Sequence, residues 1–328
     1  MKDYKERVCS VDLFRYICAL LVIAIHTDPL QEINPELGFI AGNAIPRIGV
    51  PFFFIVSGYF YFQKIRQGEK PFWQYLRHLL VIYSLWSCLY FVIIFVKSGH
   101  RNIRRFLAKS IVNFIWHGSF YHFWFFPALI FALCFTTLLW KTKCRRLIIP
   151  LSLIMYIPGC LGCAYYNLVK TLPILGPLVT HPQFKTIRRI FMMGFPFFAG
   201  GYLVLKLRDK ISRKKIPYLL IISLIIWIAE LLLVVRLDFQ DSIVTTFGLY
   251  PLVICTLIIL LQNPLPHLTK PAAACRKIAS FTYYSHPAII LLISYTYKTL
   301  LHKTLPNTAL FLITAIFTFL LPWNWGRR

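Results

Sequence analysis

The stretch Asp12–Leu30, DLFRYICALLVIAIHTDPL, decides the fold class of this chain. It is apolar enough to enter a lipid bilayer, and at about 1.5 Å per residue it crosses most of a hydrocarbon core roughly 30 Å thick. It nevertheless contains Arg15 near its start and His26 near its end. Because a charged group at bilayer depth is expensive, these side chains are expected to face protein rather than lipid.

The composition of the whole chain is that of a polytopic membrane protein. Of its 328 residues, 58% are hydrophobic and only 14% are charged, whereas a soluble globular protein is about 25% charged. The segments between the apolar runs are short, so we predict an all-α transmembrane helix bundle that forms a single domain over residues 1–328. Ten candidate spans are indicated: 10–28, 46–63, 73–97, 120–140, 146–163, 188–206, 216–235, 243–261, 278–297 and 308–323.

The basic residues predict the orientation. The net charge is +25, but Lys and Arg cluster between apolar runs, as in cytoplasmic loops that meet anionic lipid, so no nucleic-acid partner is expected. With the N-terminus in the cytoplasm, the inner segments hold 22 Lys and Arg and the outer segments hold 13. We therefore predict a multi-pass protein of the cell membrane with a cytoplasmic N-terminus. The basic stretch Lys97–Lys109 falls outside in this topology, and we interpret it as an interfacial helix.

Arg15 and His26 are eleven residues apart, which corresponds to about 16 Å and about three turns of helix, so both should lie on one face. That face is expected to point into the bundle. The alternative is that Arg15 extends to the nearest headgroups and His26 lies at the membrane interface.

Other polar side chains lie in or beside apolar runs, and together they predict an interior polar pocket. Glu230 is the only charge within the seventh span, about 20 Å from its start, and it should be neutral or paired with a cation. Helix packing would explain Arg47 and its neighbours in the second span, and an aromatic belt at the membrane interface would explain Trp124. The set comprises Arg47, His122, Trp124, Arg188, Arg189, Glu230 and His286.

The nine cysteines follow no secreted spacing. Cys160 and Cys163 could form a redox or metal pair, but no second pair accompanies them, so packing is favoured. No metal site is predicted.

Several motifs together resemble the acyltransferase 3 membrane proteins. They are the Arg-x10-His pair of the first span, GVPFFFIVSGYF (Gly49–Phe60), HFWFFPALI (His122–Ile130) and SFTYYSHPAII (Ser280–Ile290). The match runs from residue 12 to about 290. The combination of Arg-x10-His with Phe-Phe-x-x-Ser-Gly is fairly specific, whereas either motif alone would be weak.

This resemblance implies O-acyl transfer from cytoplasmic acyl-CoA, most simply acetyl-CoA, to a hydroxyl, often one on a cell-envelope glycan. His26 would be the general base, since an imidazole can take the hydroxyl proton as the oxygen attacks the thioester carbonyl. Arg15 would neutralise donor phosphates or orient the site. The remaining polar residues, Arg47, Arg77, His122, Trp124, Glu230 and His286, would bind donor or acceptor.

One departure from the family concerns its Arg-x-x-Arg motif at the start of the third helix. Here Arg77 is present, but Leu80 occupies the second position. In this respect the chain is more similar to a subgroup that includes the membrane domain of vancomycin-resistance serine racemases. An alternative function is therefore a carrier of a small polar solute such as serine. A purely structural or sensory membrane protein is a third possibility.

Overall fold

A computed structural model describes residues 8–98 and 103–325 of the chain. Over these residues the chain is all-α, with fifteen α-helices and no β-strand. Short 3-10 segments and three π-helical segments, Phe39–Ala44, Asn113–His117 and Arg188–Gly194, join or extend the helices. The α-helices are α1 (Cys9–Thr27), α2 (Pro35–Gly38), α3 (Gly49–Arg66), α4 (Phe72–Ser98), α5 (Ile103–Val112), α6 (Phe125–Lys141), α7 (Ile148–Leu161), α8 (Tyr166–Val169), α9 (Leu175–Thr180), α10 (Phe184–Ile187), α11 (Phe195–Leu207), α12 (Ile216–Arg236), α13 (Leu249–Gln262), α14 (Thr269–Leu301) and α15 (Asn307–Trp325).

The helices confirm a polytopic membrane protein. Each of the ten predicted spans overlaps a helix. Within the described ranges, five helical segments are long and apolar enough to cross a membrane, and a sixth is obtained if α13 and α14, bent by 89°, form one span. Phe125–Lys141 and Asn307–Pro322 are shorter apolar helices. The number of ten spans therefore stays a prediction.

Several helices begin at residues other than those the sequence predicts, and α13 and α14 are two of them. α13 begins at Leu249 rather than at 243, since the Phe247 and Gly248 amides donate to the Glu230 carboxylate instead of starting a helix. α14 begins at Thr269 rather than at 278, and it covers 33 residues.

The amphipathic helix α5 (Ile103–Val112) overlaps the basic stretch interpreted as interfacial. Ile103, Leu107 and Ile111 recur at four-residue intervals and are 56%, 52% and 61% exposed. Basic side chains alternate with this apolar stripe, which is the pattern of a helix lying in a membrane interface. Residues 99–102 of the stretch lie outside the described part of the chain.

The chain divides into two compact units, and the single-domain prediction stays a prediction. The first unit comprises Met1–Phe53, Lys210–Ile226 and Pro251–Arg328, and the second comprises Phe54–Asp209 and Trp227–Tyr250.

In the first unit α1 packs against α14 and α15. Val22 and Ile23 of α1 are buried. The start of α15 is held to the segment after α1, because Thr308 Oγ1 accepts from the Leu30 amide at 2.8 Å and the Thr308 amide donates to Glu32 Oε1 at 2.8 Å. These contacts fix the end of α1 that carries His26.

In the second unit α11 packs against α6 and against α7, and all three contact the π-helical segment Arg188–Gly194. Helices α3 and α11 approach closely at two glycines, since a Cβ on Gly58 would collide with the Phe198 carbonyl and one on Gly201 with the Tyr59 amide. Small residues permit such close contact between membrane helices.

Candidate functional site

The first unit brings His26 and His286 together. Their imidazole rings stack with centroids 5.3 Å apart and an interplanar angle of 19°. His26 lies in the last turn of α1, and His286 is fully buried near the middle of α14. The packing of α1 against α14 therefore places two residues that are 260 positions apart side by side.

Pro287 fixes the protonation of the His286 ring. A proline has no amide hydrogen, so within α14 it leaves the Tyr283 carbonyl without its usual helical donor. His286 Nδ1 lies 3.0 Å from the Tyr283 carbonyl oxygen and 3.0 Å from that of Thr282. Because a carbonyl oxygen only accepts, Nδ1 is the protonated nitrogen and Nε2 carries the lone pair in the neutral ring.

Arg47 belongs to a polar network at the His26 end of α1. Its Nε donates to the Asn43 carbonyl at 2.9 Å, and its Nη2 donates to Asn43 Oδ1 at 2.5 Å. Asn43 Nδ2 in turn donates to Asp28 Oδ1 at 3.2 Å. Burial raises the pKa of the Asp28 carboxyl from its ordinary value, while Arg47 and the hydrogen bond from Asn43 act in the opposite direction. The network offsets the guanidinium charge with a carboxylate directly after α1.

Arg15 is paired within its own helix. Its Nη1 lies 2.8 Å from Asp12 Oδ1, one turn earlier, and the two side chains are 21% and 8% exposed. It also interacts electrostatically with Tyr284 of α14. Arg15 and His26 therefore both interact with α14. The sequence analysis did not predict a role for Asp12. Its i,i+3 spacing from Arg15 would have indicated an ion pair, since side chains three residues apart are neighbours on a helix.

In the second unit His122 and Trp124 lie in the turn that precedes α6. His122 is 3% exposed, and its ring centroid lies 3.9 Å from that of Phe123 and 5.2 Å from that of Tyr90. Gly118, with φ of +86°, opens the turn, and a Cβ there would collide with the Trp124 amide. Only glycine combines this φ with this close approach.

The sequence predicts that Glu230 is neutral or paired with a cation, and no described cation pairs with it. Among the described residues its carboxylate accepts hydrogen bonds from the Tyr165 hydroxyl at 2.9 Å, the Phe247 amide at 2.7 Å and the Gly248 amide at 2.6 Å. Burial raises the pKa of Tyr165, and the neighbouring Glu230 acts in the same direction. Three donors thus satisfy the carboxyl oxygens of Glu230. They lie 17 to 65 positions away in the sequence, so no local pattern predicts them.

Arg77 is an exposed residue of α4. Lys64 and Arg66, in the last turn of α3, belong to the same unit. Lys64 lies 3.5 Å from Glu69, and Arg66 lies 3.8 Å from Asp209. Arg77 forms no ion pair with a described carboxylate.

The described residues contain no group of three or more His, Cys, Asp and Glu side chains placed to hold a metal ion. Cys160 and Cys163 are both buried and reduced. The Cys163 thiol donates to the Ser242 carbonyl at 3.0 Å, which agrees with the interpretation of this pair as packing residues.

Two hollows lie in the second unit, with volumes of about 550 and 370 Å³. Their linings lie between residues 112 and 192 and include none of the eight predicted site residues. The chemistry of the candidate site therefore rests on the side-chain clusters described above.

Comparison with known proteins assigns the family. The model of the acyltransferase 3 family, described as an acyltransferase domain, matches residues 9–324. None of the solved structures matches the chain.

The relatives that match are larger proteins. An amino-acid racemase of Enterococcus faecalis is 27% identical over 326 residues, which cover 97% of this chain and 46% of that protein. A serine/alanine racemase of Enterococcus gallinarum is 30% identical over 224 residues, which cover 66% of this chain and 32% of the relative. The chain thus spans less than half the length of the curated relatives it matches.

Proposed function

This chain belongs to the acyltransferase 3 family, and from that premise we propose that it transfers an acyl group, most simply acetyl, from cytoplasmic acyl-CoA to a hydroxyl of a cell-envelope glycan. The observation that carries the proposal is the fixed geometry of His26 against His286. A general base must hold one orientation, and a membrane-embedded imidazole stacked on a ring of defined tautomer does so.

In the reaction His26 takes the proton of the acceptor hydroxyl as its oxygen attacks the thioester carbonyl. The new ester bond forms, the carbon–sulfur bond breaks, and the CoA thiolate leaves with the proton returned from His26. His286 acts through His26 as a positioning residue, since its Nδ1 is committed to the backbone carbonyls of α14.

The pairing of Arg15 with Asp12 favours an orienting role for this arginine over a grip on donor phosphates. Arg15 already donates to a carboxylate at 2.8 Å, so some of its guanidinium N–H donors are occupied. Arg77, which has no such partner among the described carboxylates, is better suited to the donor phosphates. Arg47, His122 and Trp124 would contact acceptor or donor.

The test is transfer of labelled acetyl from acetyl-CoA to envelope glycans by the purified full-length chain in liposomes. The native chain should form labelled ester, His26→Ala should not, and His267→Ala, which removes an exposed histidine of the same unit, should match the native chain. Ester formation at native rate by His26→Ala would contradict the assignment of the base.

A second candidate is a carrier of a small polar solute such as serine. The names of the relatives favour it, because the matched proteins are called amino-acid and serine/alanine racemases. Uptake of labelled serine by liposomes that contain the purified chain, with no acyl transfer, would support the carrier.

A further inference from the structure

Two adjacent arginines open the π-helical segment Arg188–Gly194 of the second unit. Arg188 is only 5% exposed, and its Nη1 is buried without a hydrogen-bond partner in the described part of the chain. A snorkelling arginine would keep its tip in water, whereas this tip is inside the protein. A buried guanidinium that lacks an acceptor is costly unless an anion meets it.

Arg189 extends the positive charge to the start of α6. Its guanidinium carbon lies 5.2 Å from the centroid of the Trp124 ring, a cation–π contact. Trp124 is the N-cap residue of α6, a helix of 17 residues that has no side-chain cap and no acidic residue in its first turn. The positive end of the helix dipole therefore adds to the charge of the arginines.

Three carboxylates of the second unit are engaged elsewhere. Glu230 accepts from Tyr165 and two amides, and Glu69 and Asp209 pair with basic residues other than these two. Arg188 is near enough to Arg189 for their charges to interact, and neither has an ion-pair partner among the described carboxylates.

The backbone around these arginines is fixed by close packing. A Cβ on Gly194 would lie 2.9 Å from Ala128 Cβ of α6, and one on Gly159 would lie 2.8 Å from Met192 Cβ. The π-helical segment is thereby held against α6 and α7. Such segments occur frequently at functional sites.

We propose that Arg188, Arg189 and Trp124 form a binding site for a phosphoryl group, on a lipid or on a soluble phosphate ester. The two planar guanidinium groups match phosphate oxygens and can balance two negative charges, where a single carboxylate would leave one cation uncompensated. The Trp124 ring provides an apolar surface for the part of the ligand next to the phosphoryl group. Trp124 is shared with the acyl-transfer proposal, but the binding test involves no reaction, so its outcome is distinguishable from a failure of acyl transfer.

Calorimetric titration of the purified full-length chain in neutral detergent tests the proposal. One arm uses dihexanoyl phosphatidic acid, a second uses glycerol 3-phosphate, and a third uses a diacylglycerol of the same chain length that bears succinate instead of phosphate. Arg188→Gln and Arg189→Gln should each weaken binding of the phosphoryl probe by about 10- to 100-fold, the range of a lost charge-assisted hydrogen bond. Lys185→Gln, which removes an exposed cation three residues earlier, should leave the affinity unchanged.

Arg189→Lys keeps the charge and guards against a folding defect, and it should weaken binding less than Arg189→Gln. Binding of the lipid probe alone, or of both phosphate probes, supports the site and identifies the source of the phosphoryl group. Equal affinity of the native chain and both glutamine variants, or absence of binding to the native chain, overturns the proposal. Binding of the succinate probe as tight as that of phosphatidic acid overturns the phosphoryl assignment.

Discussion

The imidazoles of His26 and His286 lie face to face, with centroids 5.3 Å apart and planes inclined by 19°. A general base must hold one orientation, and the stacked His286 ring limits the orientations of His26. His286 does so without contacting the reacting atoms.

If His286 positions His26, His286→Gln should lower kcat about 10- to 100-fold with little change in KM, because substrate binding does not involve this ring. His286→Phe keeps a stacking ring but leaves the Tyr283 carbonyl without a donor, and it should be at least as slow. The pH–rate profile should shift in both variants. A profile identical to that of the native chain would leave His286 with a packing role only.

Asp12→Ala should destabilise the chain by about 2–4 kcal/mol, because it leaves the partly buried Arg15 guanidinium without its carboxylate. The double variant Asp12→Ala/Arg15→Met should recover part of that loss, since neither charge remains. Unfolding in detergent, followed by intrinsic fluorescence, measures both. The single variant Arg15→Met completes the cycle. If the losses in free energy of unfolding of the two single variants add up to that of the double variant, the 2.8 Å pair contributes no coupling energy.

Arg77→Ala should raise KM for acyl-CoA by about 10- to 100-fold, which corresponds to a lost charge-assisted bond to phosphate of about 1.5–3 kcal/mol. Leu80→Arg restores the family spacing one turn away and should lower KM. Steady-state kinetics with acetyl-CoA in liposomes gives both values. A chain that neither binds nor hydrolyses acyl-CoA, with Arg77→Ala indistinguishable from it, would favour the carrier.

Glu230→Gln should destabilise the second unit by about 1–3 kcal/mol, because an amide group offers one acceptor where the carboxylate serves three donors. Hydrogen exchange of the Phe247 and Gly248 amides should accelerate in this variant. Tyr165→Phe removes one donor only and should have a smaller effect. Unchanged protection of both amides would show that the Glu230 charge does not hold this segment.

The predicted orientation can be tested by cysteine labelling in a background without the native cysteines. Ser212→Cys, in the basic segment between α11 and α12, should react with a membrane-impermeant thiol reagent only after the cytoplasmic side is opened. Thr171→Cys, in the segment between α8 and α9, should react in intact cells. Labelling of Ser212→Cys in intact cells would reverse the orientation.

The sequence by itself determined the membrane class, the helices that overlap all ten predicted apolar runs, and the family. Hydrophobic length and the Arg15–His26 spacing are local properties of one segment, and the bilayer imposes the same requirement on every apolar run. The polar residues within these runs could also be identified from the sequence, because a polar side chain is energetically costly inside a bilayer.

Only the tertiary structure decided which of those residues meet. His26 and His286 are 260 positions apart, and Glu230 is bonded to a tyrosine 65 positions before it and to amides 17 and 18 positions after it. Of the two alternatives predicted for Glu230, no cation partner is found among the described residues, because a tyrosine and two backbone amides, which have no sequence signature, satisfy its oxygens. Arg15 found its partner one turn away, whereas Arg188 and Arg189 have none among the described carboxylates. The packing of helices against one another sets which side chains meet, and the sequence pattern of a single helix does not predict those contacts.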